Sequence, residues 1–422
     1  MPNKTIVLLA DGTGNSAAKL FKTNVWRLYR ALDQSDPPPT GERRQIAHYH
    51  DGVGTSTFKP LALLGGVFGI GLKRNVLELY AFLCRNYEPG DRIYAFGFSR
   101  GAFTVRVLAG LITSQGVLHR ATEEDLTRYA ADAYRSYRRR YKLPIFGYKD
   151  KTARADPTQR VGLVDLLRDL RDSVIKLWRR ARGSKRYDEI PRLQDLQIDF
   201  LGVWDTVAAY GLPIDELTRG IDEWVWPLSM PNYRLSERVL RARHALSLDD
   251  ERDTFNPLLW DEFAEEVPTA PGAVPRLQQV WFAGVHSDVG GGYADDPASY
   301  VALQWMMNES ARPVRSGERT GLRFLAPDLQ EVPIVPNDLA PLHDSRRGVG
   351  AYYRYQPRKL VAKLDPPDPS TLMMQDPNRK GKGFLRRVQV HDSVFHASAA
   401  ATIDMPRSSC RPITTSWRRT ER

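Results

Sequence analysis

Three residues of the types that carry out nucleophilic acyl transfer follow predicted strands of this 422-residue chain. Ser99 lies in a G-x-S-x-G string at residues 97–101, Asp205 follows a Val-Trp pair, and His286 follows a Gly-Val pair. A serine hydroxyl becomes a nucleophile when a histidine takes its proton and a carboxylate orients that histidine. The order serine, acid, histidine along the chain is the order found in α/β-hydrolases. Ser99, His286 and Asp205 are therefore the candidate nucleophile, base and acid.

The residues around Ser99 predict a sharp turn from a strand into a helix. Residues 93–98 form an uncharged aromatic and β-branched run that is typical of a buried strand, and apolar residues recur at helical spacing over 101–113. Small residues two positions before and after the serine let such a strand and helix approach closely, and the serine is pushed out over the sheet edge. A tight turn whose serine only caps the helix would match the same string.

A second loop could stabilise the charge that develops during acyl transfer. The buried strand predicted at Thr5–Ala10 runs into a Gly-rich loop that begins with Asp11, Gly12 and Thr13. Backbone N–H groups of such a loop can bind an oxyanion. We expect the N–H of Arg100, and one from Gly12 or Thr13, to form the oxyanion hole, with Asp11 in support. An ordinary strand-to-helix turn is the alternative interpretation of this loop.

Two histidines compete for the role of base. His286 ends a strand predicted at 279–285 and precedes three glycines that let the backbone bend over the active edge, with Asp288 two residues on as a supporting acid. His244 falls in a stretch, 235–246, whose pattern predicts a helix. We therefore expect His286 to be the base and His244 to support the site or to pack.

The alternation of strands and helices predicts an α/β fold, an α/β-hydrolase-like, mostly parallel sheet flanked by helices. In an open parallel sheet the carboxyl ends of the strands share one edge, so residues that are distant in sequence can meet there. We expect a catalytic domain at residues 1–310 with a helical cap insertion at about 120–191. Residues 311–422 read as an irregular, basic extension with disordered parts.

The cap contains a basic amphipathic pattern. Residues 161–181 place an apolar stripe from Val164 to Trp178 beside several arginines. Such a helix can lie on an anionic membrane surface. A cap helix that packs its apolar face on the core has the same pattern and is the simpler interpretation.

Bulk composition narrows the class of protein. The net charge of +11 suits an anionic partner, but no nucleic-acid motif is recognisable, so we expect a lipid surface rather than nucleic acid. Two distant cysteines, Cys84 and Cys410, suit a reducing compartment. Neither a signal peptide nor a membrane span is recognisable, which predicts a cytoplasmic location in the producing cell. Glycines at 66–71 do not match the dinucleotide fingerprint, and we expect no cofactor and no metal.

Two other functions remain open at this point. A metal-assisted phosphoesterase could use Asp11, Asp205, His286 and Asp288 as ligands, because hard oxygen ligands suit Mg²⁺ or Ca²⁺. That function would leave the G-x-S-x-G string unexplained. A non-catalytic basic adaptor on membrane or nucleic acid is the third candidate.

Several of these motifs together resemble a known family. They are ADGTGN at 10–15, GFSRGAF at 97–103, VWDTV at 203–207, HALSLDDER at 244–252 and GVHSDVGGGY at 284–293. The set resembles the type VI secretion phospholipase-effector (Tle-like) catalytic domain family of the α/β-hydrolase superfamily, over most of residues 1 to about 300. The resemblance implies a phospholipase that cleaves ester-linked acyl chains, with the triad on Ser99, Asp205 and His286.

The resemblance also implies partners. The substrate would be a phospholipid or another lipid ester. If a type VI apparatus exports the chain, a component of that apparatus or an immunity protein would bind it. Residues after about 300 show no match to the membrane-docking modules of the larger effectors.

Overall fold

A computed structural model describes residues 3–12, 20–52, 66–119, 121–139, 187–207, 233–266, 273–330, 334–346, 353–358, 360–362, 372–374 and 388–396. In chain order the strands are β1 (Thr5–Ala10), β2 (Gln45–His50), β3 (Arg92–Phe98), β4 (Val117–Leu118), β5 (Arg192–Leu193), β6 (Ile198–Trp204), β7 (Val239–Ser247), β8 (Leu277–Phe282), β9 (Leu360–Ala362), β10 (Leu372–Met374) and β11 (Gln389–Val390). The helices are α1 (Asn24–Ala31), α2 (Gly66–Asn86), α3 (Arg100–Gln115), α4 (Glu123–Arg139), α5 (His286–Gly290) and α6 (Ser299–Ala311).

Seven strands form one sheet in the order β11-β8-β7-β6-β3-β1-β2, and each neighbouring pair is parallel. Strand β2 lies on one side of β1, and every later strand of the sheet lies on the other side, beginning with β3. The carboxyl ends of β1 and β3 therefore flank the point where the strand order reverses, which is where open α/β sheets place their sites. The predicted α/β fold, a mostly parallel sheet flanked by helices, is confirmed.

Helices cover both faces of this sheet. Because successive side chains of a strand point to opposite faces, Ile6 and Leu8 of β1 share a cluster with side chains of α2, α3 and α4. Val7 and Leu9 share a second cluster with α1 and α6. Strands β1, β3 and β6 are buried at every position, as expected for a parallel sheet between two helical layers.

One predicted element is wrong. The helix predicted at 235–246 is the strand β7, and His244 therefore lies on a strand. Arg241 and Arg243 are two residues apart and point to the same face, where both donate to Glu309 of α6, Arg243 to its carboxylate and Arg241 to its carbonyl. A partner 66 residues away thus makes a charged strand stable in the sheet.

The domain division at residue 310 and the cap at about 120–191 stay predictions. Of the predicted cap, α4 packs against α2 and α3, whereas the basic amphipathic stretch 161–181 lies outside the described residues. Beyond 310, β11 forms the edge of the main sheet beside β8. No helix in the described ranges is both long and apolar enough to cross a bilayer.

Candidate active site

Ser99 occupies the turn between β3 and α3. Its φ of 58° and ψ of −123° lie in a region that residues with a side chain rarely adopt, at a cost of roughly 1–3 kcal/mol. Gly97 and Gly101 make this turn sterically feasible. A Cβ at Gly101 would lie 2.1 Å from the carbonyl oxygen of Ala10, and one at Gly97 would lie 2.5 Å from that of Gly101. The Ser99 N–H donates to the carbonyl of Trp204, which ties the turn to β6.

Ser99, His286 and Asp205 form one hydrogen-bonded chain. The Nε2 atom of His286 lies 2.8 Å from Oγ of Ser99, and its Nδ1 atom lies 2.6 Å from Oδ2 of Asp205. With the carboxylate ionised, Nδ1–H donates to Asp205, which leaves Nε2 to accept from the serine hydroxyl. All three side chains are buried, and Asp205 is 0% exposed. The structure thus brings together the three residues predicted as nucleophile, base and acid.

Arg358 also binds one of these three residues, Asp205, and no pattern in the sequence indicated this contact. Its guanidinium binds Asp205 in a bidentate manner, with Nη1 2.9 Å from Oδ1 and Nη2 2.9 Å from Oδ2. Nη2 also donates to the carbonyl of Phe255 at 2.7 Å. Ser247, at the end of β7, adds its N–H to Oδ1 and its hydroxyl to Oδ2, both at 3.1 Å. The buried carboxylate is therefore saturated with donors.

These contacts fix the charges of the site. Burial disfavours the ionised form of Asp205, but the charge of Arg358 and the hydrogen bond from His286 outweigh burial and hold the pKa of Asp205 far below its ordinary value. Burial lowers the pKa of His286 below its ordinary value of 6.5, against the opposing hydrogen bond and charge of Asp205. At neutral pH the acid is therefore ionised and the imidazole is neutral, which is the form that can accept a proton.

Aromatic rings and a second acid hold His286 in place. Its ring lies 4.6 Å from that of Phe98 and 5.0 Å from that of Phe255, measured between centroids. Its backbone N–H donates to Oδ2 of Asp250 at 3.1 Å, and Arg252 clamps the Asp250 carboxylate through Nε and Nη2. The motif around residues 249–252 therefore binds the backbone of His286, whereas Asp205 and Ser99 bind its ring.

Asp288 stabilises the turn that carries His286. Its carboxylate accepts the N–H of Val285 at 3.0 Å and the N–H of His343 at 3.1 Å, and it lies 2.6 Å from Nδ1 of His343. Asp288 thus binds the backbone of this turn and is bonded to neither Ser99 nor Asp205 in these contacts, and its supporting role stays a prediction.

The structure describes two of the three residues that were predicted to supply backbone N–H groups to the oxyanion hole, Arg100 and Gly12. Arg100 is the first residue of α3, so its backbone N–H lies at the N-terminal end of a helix, beside Ser99. The N–H of Gly12 already donates to Oδ1 of Asp11 at 2.6 Å. Thr13 lies outside the described residues. The oxyanion roles of these three residues stay predictions.

Asp11 lies at the end of β1, next to the turn that carries Ser99. Its carboxylate accepts from the hydroxyls of Thr23 and Tyr49, each at 2.6 Å. Burial raises the pKa of Asp11 to about 6, although its hydrogen bonds to Thr23 and Tyr49 oppose the shift. These bonds anchor the start of the Gly-rich loop to α1 and β2.

His244 supports the backbone beside Asp205. Its Nε2 accepts the N–H of Thr206 at 3.1 Å, and its Nδ1 lies 3.3 Å from Oε1 of Gln279. Burial, with the charge of Arg106, lowers the pKa of His244 to about 3. Both ring nitrogens are engaged away from Ser99, so this geometry suits a supporting residue rather than the base.

The four residues proposed as metal ligands do not converge. Asp205 and His286 bind each other, whereas the carboxylates of Asp11 and Asp288 are bonded to other side chains. Over the described part of the chain, no three His, Cys, Asp or Glu side chains are grouped so that they could hold a metal ion.

The chain matches one known protein family over most of its length. A family model described as the type VI secretion phospholipase effector Tle1-like catalytic domain matches residues 4–309. That match includes Ser99, Asp205 and His286 but ends before Arg358.

Individual relatives are more distant. An uncharacterized protein of Saccharomyces cerevisiae, YEL023C, is 28% identical over 268 residues, which are 60% of this chain and 32% of the yeast protein. The chain thus spans about a third of the curated relative that it matches.

Two solved structures are also similar. One is an uncharacterized protein from Pseudomonas aeruginosa, with 19% identity over 73% of this chain and 45% of that chain, and a TM-score of 0.36. The other is the Tle1 effector bound to the VgrG spike, with 16% identity over 69% of this chain and 51% of that chain, and a TM-score of 0.33. At these TM-scores the two alignments carry no argument about the site.

Proposed function

The chain belongs to the Tle1-like catalytic domain family of type VI secretion phospholipase effectors, and we propose that it is a serine ester hydrolase acting on phospholipids or related lipid esters. Membership in a phospholipase family indicates a hydrolase. The finer proposal rests on one observation, the hydrogen-bonded chain of Ser99, His286 and Asp205 at the carboxyl edge of the sheet.

The proposed reaction begins when Oγ of Ser99 attacks the ester carbonyl carbon. His286 takes the hydroxyl proton on Nε2, and Asp205 stabilises the imidazolium through Nδ1–H. Backbone N–H groups, that of Arg100 and one from the Gly-rich loop, would bind the carbonyl oxygen as it becomes negative. The tetrahedral intermediate then collapses. Its leaving alcohol takes the proton from His286, and an acyl group remains on Ser99.

Hydrolysis of the acyl-enzyme repeats these steps with water. His286 takes a proton from a water molecule that attacks the acyl carbon, and it returns the proton to Oγ of Ser99 as the fatty acid leaves. The neutral imidazole at the start of both half-reactions is the form that burial of His286 favours.

Exposed apolar side chains support lipid as the substrate. Leu20 and Phe21 are 84% and 44% exposed. They precede Thr23, whose hydroxyl binds Asp11 and whose backbone pairs with Gly291 near the end of α5. Both apolar residues therefore lie at the edge of the sheet that carries Ser99. Apolar side chains there could enter a bilayer surface, and the net charge of +11 would favour an anionic one.

Product analysis tests this function and separates it from phosphoester cleavage. The protein is incubated with anionic phospholipid vesicles, and lipids are identified by mass spectrometry. The proposal predicts fatty acid and lysophospholipid in equal amounts, and a fatty acid methyl ester when methanol is added, because an acyl-enzyme transfers its acyl group to alcohols. Release of a phosphorylated headgroup, or identical products from Ser99→Ala, would overturn it.

The family also bears on partners and location. We propose that a type VI secretion apparatus exports the chain from the cytoplasm of the producing cell, which requires a partner in that apparatus and predicts an immunity protein. Detection of a tagged chain in the culture medium, with and without a working apparatus, tests export independently of lipid hydrolysis. Equal amounts in both cultures would contradict export by this route.

A further inference from the structure

Arg358 belongs to the basic stretch after residue 310, yet its side chain is buried against a carboxylate of the active site. Its side chain is 1% exposed, and its guanidinium is bonded to both oxygens of the fully buried Asp205. An ionised carboxylate removed from water costs several kcal/mol unless it is paired with good geometry. A planar guanidinium supplies that geometry because its two N–H donors match the two carboxylate oxygens.

The chain delivers Arg358 by an extended segment. Residues 353–358 run antiparallel to residues 251–255, with the N–H of Asp253 bonded to the carbonyl of Arg354 at 3.0 Å. The N–H of Gln356 is bonded to the carbonyl of Glu251 at 2.8 Å. This partner segment also carries Arg252, which binds Asp250, the acceptor of the His286 backbone N–H. Arg358 is thus placed by backbone bonds to the very loop that orients the histidine.

The bidentate contact restricts how Asp205 can turn. Oδ2 must face His286 for the imidazole to present Nε2 to Ser99. Rotation of the carboxylate would break both bonds to Arg358 together with those to Ser247. The guanidinium therefore selects the one orientation of Asp205 in which the base is aligned.

We propose that Arg358 is a positioning residue of the active site, so that the catalytic chain is complete only with a residue outside the matched family domain. This inference rests on the proposed function, since it assumes that Ser99 and His286 react. Arg358 binds Asp205, and it acts by holding that carboxylate ionised and in one orientation.

The contact has a consequence for the pH profile. A cation beside Asp205 offsets part of the negative charge that would stabilise protonated His286, so its removal favours the imidazolium. Besides Asp205, the charged groups that act on His286 are Asp250 and Arg252, in the residues after β7. On α5, Asp288 is bonded to the backbone of the turn that carries His286. On the segment 353–358, Tyr353 packs against Phe255, whose ring contacts His286. The substitutions at Arg358 change none of these side chains.

The test compares Arg358→Gln and Arg358→Lys with the full wild-type chain. The readouts are kcat/KM for a short soluble ester between pH 5 and 9 and the rate at which a fluorophosphonate labels Ser99. For Arg358→Gln we expect kcat/KM to fall roughly 10- to 100-fold, mostly in kcat, because charge-assisted bonds that align the base are lost. We also expect the acid limb to move up by roughly one pH unit. Arg358→Lys keeps the positive charge but not the two parallel N–H donors of arginine. We therefore expect the acid limb to stay at the wild-type pH and kcat/KM to be restored only in part.

Arg243→Gln is the matched control. Arg243 is also fully buried and also paired with a carboxylate, that of Glu309, but it is bonded to none of the residues of the Ser99–His286–Asp205 chain. It should lower the melting temperature without moving the acid limb. A wild-type rate and pH profile in Arg358→Gln, or an effect no different from that of Arg243→Gln, would overturn the proposal.

Two further outcomes are decisive. If Arg358→Gln does not fold, a wild-type kcat/KM in Arg358→Lys still overturns the proposal, because lysine cannot bind both oxygens in plane. If Ser99 of the wild-type chain does not react with the fluorophosphonate, the proposed function fails and this inference fails with it. If wild-type Ser99 reacts and Arg358→Gln reacts equally at every pH, only this inference fails.

Discussion

The Nε2 atom of His286 lies 2.8 Å from Oγ of Ser99, although the two residues are 187 positions apart in the chain. Ser99 follows β3 and His286 follows β8, and β6 and β7 lie between these strands in the sheet. Neighbouring strands are about 4.8 Å apart, so the chain after β8 must turn back across roughly 14 Å to bring the ring to the serine. Gly284 lies in that turn with φ of 99°, and the position requires glycine because a Cβ there would lie 2.5 Å from Cβ of Asp288.

This placement predicts different effects for two histidine substitutions. His286→Ala should reduce ester hydrolysis by about 10⁴-fold or more, because it removes the ring nitrogen that is bonded to the Ser99 hydroxyl. His244→Ala should mainly lower stability, by roughly 1–3 kcal/mol, because it leaves the buried N–H of Thr206 without its acceptor. Activity per folded molecule and urea unfolding of both variants provide the measurement. A larger loss of activity in His244→Ala than in His286→Ala would show that the base is misassigned.

The pH dependence of kcat/KM should report His286. Its folded-state pKa lies below 6.5, and only the neutral imidazole accepts a proton, so activity should rise through that lowered pKa and be level above 6.5. The Asp205 carboxyl titrates far lower and adds no limb in this range. Initial rates with a soluble ester between pH 4.5 and 8, with melting temperatures taken at each pH, check this. A midpoint above 6.5 would contradict the assignment.

Leu20 and Phe21 should matter only when the substrate is in a membrane. Changing both to Ser should slow hydrolysis of anionic vesicles roughly tenfold or more, since two apolar side chains of this size contribute about 1.5–3 kcal/mol each when fully buried. Turnover of a short soluble ester should stay as in the wild type. Leu329→Ser is the control. Leu329 is 66% exposed. It follows residues 323–325, which are bonded to the end of α1 and the start of β2, at the edge of the sheet opposite to the one that carries Ser99. Equal vesicle hydrolysis by both variants would contradict a membrane role for Leu20 and Phe21.

Much of the fold could be predicted because its strands are buried on both faces. Uncharged runs such as those of β1, β3 and β6 are recognisable without knowing what covers them, and the residues directly after them mark the edge of the sheet. The sharp turn at Ser99 could also be predicted, because close approach of a strand and a helix requires glycine at 97 and 101.

Features that depend on distant partners could not be predicted. Strand β7 contains arginines, which a buried strand can hold only if each has a partner. The acid that accepts from Arg243 lies on α6, far along the chain, so the local pattern favours a helix instead. Arg358 follows an irregular stretch with no periodicity, and its partner Asp205 is 153 positions away. The bond of the Gly12 N–H to Asp11 joins neighbouring residues, but it depends on where the Asp11 side chain points, which the sequence does not indicate. For β7 and for Arg358 a single long-range contact decides the outcome, and no local pattern records it.

The most direct test of the account is the site of covalent modification by a serine-directed fluorophosphonate. The full chain is treated with the reagent, digested, and the labelled peptide identified by mass spectrometry. We expect one phosphonylated residue, Ser99, with loss of ester hydrolysis in proportion to labelling. In Ser99→Ala both labelling and hydrolysis should be absent while the melting temperature is retained. Labelling at another serine, or undiminished hydrolysis in Ser99→Ala, would contradict the claim that Ser99 is the nucleophile.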